Sequence, residues 1–196
     1  NLVPFVVEHA ERLACDVIVI SDTGMYAEGL PSVGFSLRGL AYFEVHVHGA
    51  NSDLHSGNFG GVAPNPLWML VHLLATMKNE SGEITIEGFY DNIIPPTDLE
   101  KAAAANLPLD LGAVKAELGL ENLDQPGSRP YFDRLMFHPT LTINGLHGGY
   151  EGPGSKTVLP HEAVAKCDIR LVEAQTPDEI LAKVAAHVQR HAPQVE

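Results

Sequence analysis

Ala163-Val164-Ala165-Lys166-Cys167-Asp168-Ile169-Arg170-Leu171-Val172 is the stretch on which the fold turns. Ala163, Ala165, Cys167, Ile169 and Leu171 alternate with Lys166, Asp168 and Arg170. Successive side chains of a strand point to opposite faces, so this is a strand with one face on a core and the other turned outward. Just beyond it, Thr176 and Glu179 have the spacing of a capping box, with Pro177 at the first helical position. Ile180, Leu181, Val184 and Val188 then stripe one side of a helix.

Working back from this strand, Leu141 and Ile143 alternate with Thr140, Thr142 and Asn144 as a second strand, and Ile84 and Ile86 mark a short one. Residues 97–120, with four alanines after Lys101, read as a helical insertion. Over residues 64–79, Leu67, Leu70, Val71 and Leu74 share a helical face, and Pro64 and Pro66 suit its start. Phe43, Val45 and Val47 alternate with Tyr42, Glu44, His46 and His48 in a further strand. Short pieces aside, the order after Gly39 is strand, helix, strand, strand, helix. This predicts an α+β fold: a ferredoxin-like antiparallel sheet with two helices, short of that unit's last strand.

The pattern before Gly34–Gly39 is different. Pro4–Leu13 reads as a helix, and Asp16-Val17-Ile18-Val19-Ile20 runs apolar without alternation, as in a parallel strand covered on both faces. Ser21-Asp22-Thr23-Gly24 would sit at its carboxyl end, where open α/β sheets bind ligands. Residues 1–37 are therefore expected to be a fragment of an α/β domain and residues 38–196 a second, α+β domain. Both ends of the chain are expected to fall inside larger units.

Composition excludes several classes. A net charge of −13 argues against a nucleic-acid binder. No apolar run approaches the length of a membrane span, and no segment has the pattern of a signal peptide. Cys15 and Cys167 are expected to be buried free thiols of a cytoplasmic protein.

Four segments could carry chemistry. Asp22, at a strand end, can ligate a metal or orient a base, or simply cap a turn. His55, in Asn51-Ser52-Asp53-Leu54-His55-Ser56-Gly57, can donate to an oxyanion, or be an ordinary loop histidine. Gly148-Gly149-Tyr150-Glu151-Gly152-Pro153-Gly154-Ser155-Lys156-Thr157 resembles a phosphate loop. Ser155 interrupts it, and Pro160 stands where a helix should run, so nucleotide binding is not expected. Arg170 offers a fork for a substrate carboxylate, or pairs with Asp168 or a cross-strand acid. His46 and His48 share a strand face without an obvious third ligand, short of the three protein ligands a catalytic metal needs.

Together these blocks resemble the dimeric metallopeptidase family of carnosinase and cytosolic nonspecific dipeptidase. The resemblance rests on Ile20-Ser21-Asp22, Leu37-Arg38-Gly39, Ser52-Asp53-Leu54-His55-Ser56-Gly57 with Gly60-Gly61, Gly154-Ser155-Lys156-Thr157-Val158-Leu159-Pro160 and Asp168-Ile169-Arg170-Leu171-Val172. Glu173 stands where these dipeptidases often have proline. The resemblance implies a catalytic domain with two metal ions, zinc or manganese, and an inserted lid domain that forms a homodimer. Residues 1–37 would belong to the first and residues 38–196 to the second. It further implies that Asp22 is a metal ligand, that His55 reaches into the partner's active site, and that Thr157 and Arg170 contact a small peptide substrate. The family's His-x-Asp motif, Glu-Glu pair and last metal histidine are not in this sequence. The chain by itself is therefore expected to be inactive and to bind no metal stably. A stand-alone, non-catalytic dimerisation module is the alternative from another class, and an N-acyl-amino-acid amidohydrolase the alternative among enzymes.

Overall fold

The computed structural model describes residues 2–19, 25–32, 34, 36–124 and 129–193. They divide into two compact units, Asn1–Leu37 and Arg38–Glu196.

The larger unit is built on a three-stranded antiparallel sheet of β1 (Gly39–His48), β3 (Thr140–Gly148) and β5 (Glu162–Leu171), in the order β1-β5-β3. The alternation that marked β5 as a strand also places it centrally. Its inward residues Ala163, Ala165, Cys167, Ile169 and Leu171 are all buried. Two helices cover that face: α4 (Pro66–Met77) through Leu70, Leu73 and Met77, and α8 (Pro177–His191) through Ile180, Val184 and Val188. Pro66 opens α4 after Asn65, whose side chain accepts from Leu67 N–H. Thr176 caps α8 by accepting from Glu179 N–H. Burial pushes the Cys167 thiol up to about 11, so it is a packing group and not a nucleophile. Cys15, expected to be buried, is exposed; both thiols are free.

Ile84 and Ile86 depart from expectation. They are buried, yet among the described residues they form no strand beyond an isolated bridge from Ile84 to Lys78. The Ile84 N–H donates to Tyr90 Oη at 2.9 Å, so a side chain takes the place of a strand partner. Phe89 follows in a turn and plugs the core, held by Gln175 Nε2 donating to its carbonyl at 2.9 Å. Residues 97–120 hold two helices, α5 (Asp98–Ala105) and α6 (Leu111–Leu118). A capping box of Thr97 and Glu100 starts the first, and Gly119, at φ +66°, ends the second. The sequence did not reveal α7 (Tyr131–Phe137): two turns are too few for a clear periodicity.

The smaller unit corrects two expectations. The expected helix is two, α1 (Leu2–Glu8) and α2 (Ala10–Leu13), interrupted at His9. Residues 16–19 form no strand, and Val17, Ile18 and Val19 are 75–84% exposed. A strand exists only against a neighbour, and no described residue of this unit pairs with the run.

One buried polar group makes stability depend on pH. His187 sits within the apolar stripe of α8. Thr76 Oγ1 donates to the Leu73 carbonyl at 2.7 Å, so it accepts from His187 Nε2–H at 2.8 Å. This leaves Nδ1 bare in the neutral ring. Protonation there would place charge in the interior beside His191 and Arg190. Burial first, then these two neighbours, lower the His187 pKa below its ordinary 6.5. The unfolded chain therefore binds the proton more readily. The stabilisation is fully present above about pH 6.5 and is lost as pH falls through the lower folded value. Urea midpoints at pH 7.5 and 5.5 are expected to fall further for the wild type than for His187→Gln. Equal falls would show that His187 is not the group responsible.

Candidate functional site

A short two-stranded ribbon joins two of the four candidate residues. β2 (Leu54–His55) pairs antiparallel with β4 (Val158–Leu159), and α3 (Ser56–Phe59) follows at once. Ser56 N–H donates to the Thr157 carbonyl at 3.1 Å. Asp53 clamps the ribbon's base: its Oδ1 accepts from His161 N–H at 3.0 Å and lies 2.7 Å from His161 Nδ1. Both bonds from His161, the ring bond first, lower the Asp53 pKa. Asp53 and His161 are therefore positioning residues, which the sequence reading quoted or passed over without a role. The signal was their flanking of the two motif blocks, legible only once the blocks are known to touch.

The outcome is His55 Nε2 at 3.2 Å from Thr157 Oγ1, across 102 positions of sequence. The other ring nitrogen settles the tautomer. His55 Nδ1 accepts from Gly57 N–H at 3.0 Å, so in the neutral ring the proton sits on Nε2. Nε2–H is thus a donor, and it donates to the Thr157 hydroxyl oxygen beside it, which leaves the Thr157 O–H as a further donor on this exposed loop. A hydroxyl oriented by an imidazole N–H, either of which can turn to an incoming acceptor, suits an oxygen that gathers negative charge. Gly154, at φ +83°, supports the turn that leads into this segment.

Arg170 lies elsewhere. It is on the outer face of β5, opposite Leu40 of β1 and Thr140 of β3, with Nε 3.4 Å from Asp168 Oδ2. The ribbon departs from the other end of the sheet, near His48 and Glu162, where Gly49 N–H donates to the His161 carbonyl at 2.7 Å. Glu162 and Arg170 are separated by about 26 Å at the usual strand rise. β2 and β4 pack on each other and on α3, with no extensive contact to the three-stranded sheet. So His55 and Thr157 form one group and Arg170 another. Asp22, the fourth candidate, lies outside the described residues.

On the same outer face, His46 lies 3.1 Å from Glu44 and 3.3 Å from Glu162. Bonds to Glu44 and then Glu162 raise its pKa. This is an ion-pair ladder, which Lys166 extends at 3.1 Å from Glu44. Among the described residues, no group of three or more His, Cys, Asp or Glu side chains could hold a metal ion. The described residues do not fit a metal centre, and what they present is donors and a guanidinium.

The larger unit is thus a two-layer α+β domain that displays donors on a ribbon at one end and a guanidinium at the other. The chain belongs to the M20 peptidase dimerisation domain family, which matches residues 35–196. It is 35% identical over 174 residues to the Beta-Ala-His dipeptidase of Rattus norvegicus, covering 89% of this chain and 35% of that protein. It is 31% identical over 175 residues to the Cys-Gly metallodipeptidase of Schizosaccharomyces pombe, covering 89% and 37%. The solved M20 family metallo-carboxypeptidase of Sulfolobus solfataricus superposes with a TM-score of 0.83 at 30% identity, covering 97% of this chain and 50% of that one. The chain thus spans about a third of the length of the curated relatives. The expected family and α+β class both hold.

Proposed function

We propose that this chain is the lid and dimerisation region of a metal-dependent hydrolase that cleaves small peptides. In this reading His55 and Thr157 of one copy complete a site that Arg170 of the other copy serves. One observation carries it: the ribbon leaves the sheet next to Glu162, about 26 Å along β5 from Arg170, while an extended dipeptide spans about 7 Å. A single small peptide therefore cannot touch both groups within one chain. If both belong to one site, two copies must build it, as a homodimer does.

Within that arrangement each residue has a separate task. Arg170 grips the substrate carboxylate with its fork, and Asp168 holds the guanidinium in place. His55 Nε2–H and the Thr157 hydroxyl donate to the scissile carbonyl oxygen as its charge grows. Two divalent ions, zinc or manganese, would supply Lewis acidity when bound in the parent enzyme, held mainly by residues outside this chain. Asp22 is the one ligand this chain would contribute, from residues 1–37 as part of the catalytic domain. The exposed run Val17–Val19 favours that assignment, because an exposed apolar run of this kind calls for cover by further chain. The dimer face is supported by α4, whose outer side carries Trp68, 63% exposed, with Val71 and Ala75 at helical spacing. Among the described residues no helix is long and apolar enough to cross a membrane. With the free thiols, this fits a cytoplasmic enzyme.

Assays of dipeptide hydrolysis with zinc or manganese test the proposal. The full-length protein is expected to turn over, whereas the 196-residue chain alone is expected not to. Turnover by the chain alone would overturn the lid reading. No turnover by the full-length protein with either metal, across a dipeptide panel, would overturn the peptidase reading.

A further inference from the structure

A cavity of about 350 Å³ opens in the larger unit, away from the His55 ribbon. It is bounded by α7, by the turns after α4 and by the first residues of β3. Four of the chain's 12 lysines and arginines line it: Arg38, Lys78, Arg129 and Arg134. Only two carboxylate residues, Glu83 and Asp124, stand among the lining. In a chain of net charge −13 this is a local reversal of sign.

The cations are not there to balance carboxylates. The ion pairs of lysine and arginine with acids among the described residues involve Lys101, Lys166, Arg170, Lys183 and Arg190, and none of the four lining residues. Arg134 donates to the main-chain oxygens of Asp124 and Arg129, a structural duty that leaves its charge in place. Arg129 Nη1 lies 3.1 Å from His138 Nε2. Arg38 is the telling member: its Nη1 is buried and has no hydrogen-bond partner among the described residues. A buried guanidinium nitrogen without an acceptor is costly, and chains rarely carry one without a use for it. Burial and the nearby charge of Arg170 lower the Arg38 pKa, with Asp168 opposing, which is the mark of a positive, acceptor-poor environment.

We propose that this cavity binds a small, doubly charged oxyanion, with Arg38 Nη1 donating to it and Arg129 and Lys78 contributing charge. The excess of four cations over two acids matches two negative charges. The Thr140 and Thr142 hydroxyls in the lining supply neutral donors. A phosphate group and the paired carboxylates of a short dicarboxylic acid share this chemistry. The proposal does not rest on the peptidase reading, although Arg38 and Thr140 lie beside Arg170, and its test measures no turnover.

The test follows thermal unfolding of the full-length protein in inorganic phosphate and in succinate, each against sodium chloride of equal ionic strength. A ligand that binds only the folded state raises the melting midpoint in step with its concentration. The wild type is expected to show a rise that saturates in at least one of the two anions, and the anion with the larger rise identifies the source. Arg38→Gln and the surface variant Arg129→Gln are each expected to need at least tenfold more anion for the same rise. Lys115→Gln, outside the cavity, is expected to match the wild type. Arg38→Gln without anion is expected to melt no lower than the wild type, since it removes a buried charge that lacks a partner. No rise beyond chloride in either anion would overturn the proposal. So would a rise that Arg129→Gln, together with any folded Arg38→Gln, leaves unchanged.

Discussion

His55→Ala in the full-length protein is expected to lower kcat for dipeptide hydrolysis by roughly 10²–10³, or about 3–4 kcal/mol. That is the magnitude of one well-placed oxyanion donor. The geometry supports it because Gly57 N–H occupies Nδ1 and fixes Nε2–H as the ring's donor, on an exposed loop beside the Thr157 hydroxyl. The exposed loop should tolerate the change without loss of fold. A second experiment asks which copy supplies the histidine. Arg170→Gln is expected to be weak on its own, through a raised KM for substrates with a free carboxylate. In dimers formed by co-expressing Arg170→Gln with His55→Ala, one of the two sites regains both residues, one from each chain. The mixture is then expected to recover roughly a quarter of wild-type activity, as random pairing of a symmetric dimer predicts. If the mixture is no more active than its parts, the residues do not meet across a dimer.

Phe89→Ala is expected to cost about 3–5 kcal/mol of folding stability, the range for deleting a buried aromatic ring. Phe89 is among the largest fully buried side chains and belongs to the single core cluster beneath the sheet. It stands in a turn and not in a helix or strand, so no neighbouring turn of helix can close over the void. Its backbone is also tied down: Gln175 donates to its carbonyl, and Lys183 donates to the Gly88 carbonyl at 2.7 Å. These ties resist the collapse that would soften the loss. Urea denaturation should show the midpoint falling with the slope unchanged. A loss below about 1 kcal/mol would mean that the core relaxes into the space.

The parts of the fold that were legible were those in which chemistry repeats along the chain. β5 announces itself by strict alternation, and α8 by its cap and stripe. Ile84 and Ile86 misled because the same alternation also suits two side chains dropped into a core from a turn. What decides between them is whether Ile84 N–H finds a strand or Tyr90 Oη, and that is a tertiary fact. The run at residues 16–19 misled differently, since composition gives a strand's preference but not its partner. Of the candidate site, the residue types were legible and their grouping was not. The resemblance names Thr157 and Arg170 alike as substrate contacts and says nothing of which residue each one neighbours. The structure sets Thr157 beside His55, because β2 pairs with β4. Arg38 was quoted only as part of a motif, and its lack of a partner is invisible without burial.

The strand order has a consequence for how the protein is made. β1 and β3 each pair with β5, and β5 is the last of the three to be synthesised. After β1 leaves the ribosome, roughly 120 further residues must follow before its partner is complete, about 6–25 s at ordinary elongation rates. Throughout that interval the nascent chain displays β1, joined near its end by β3, with no β5 to pair with. Such segments are what chaperones bind and what aggregates recruit.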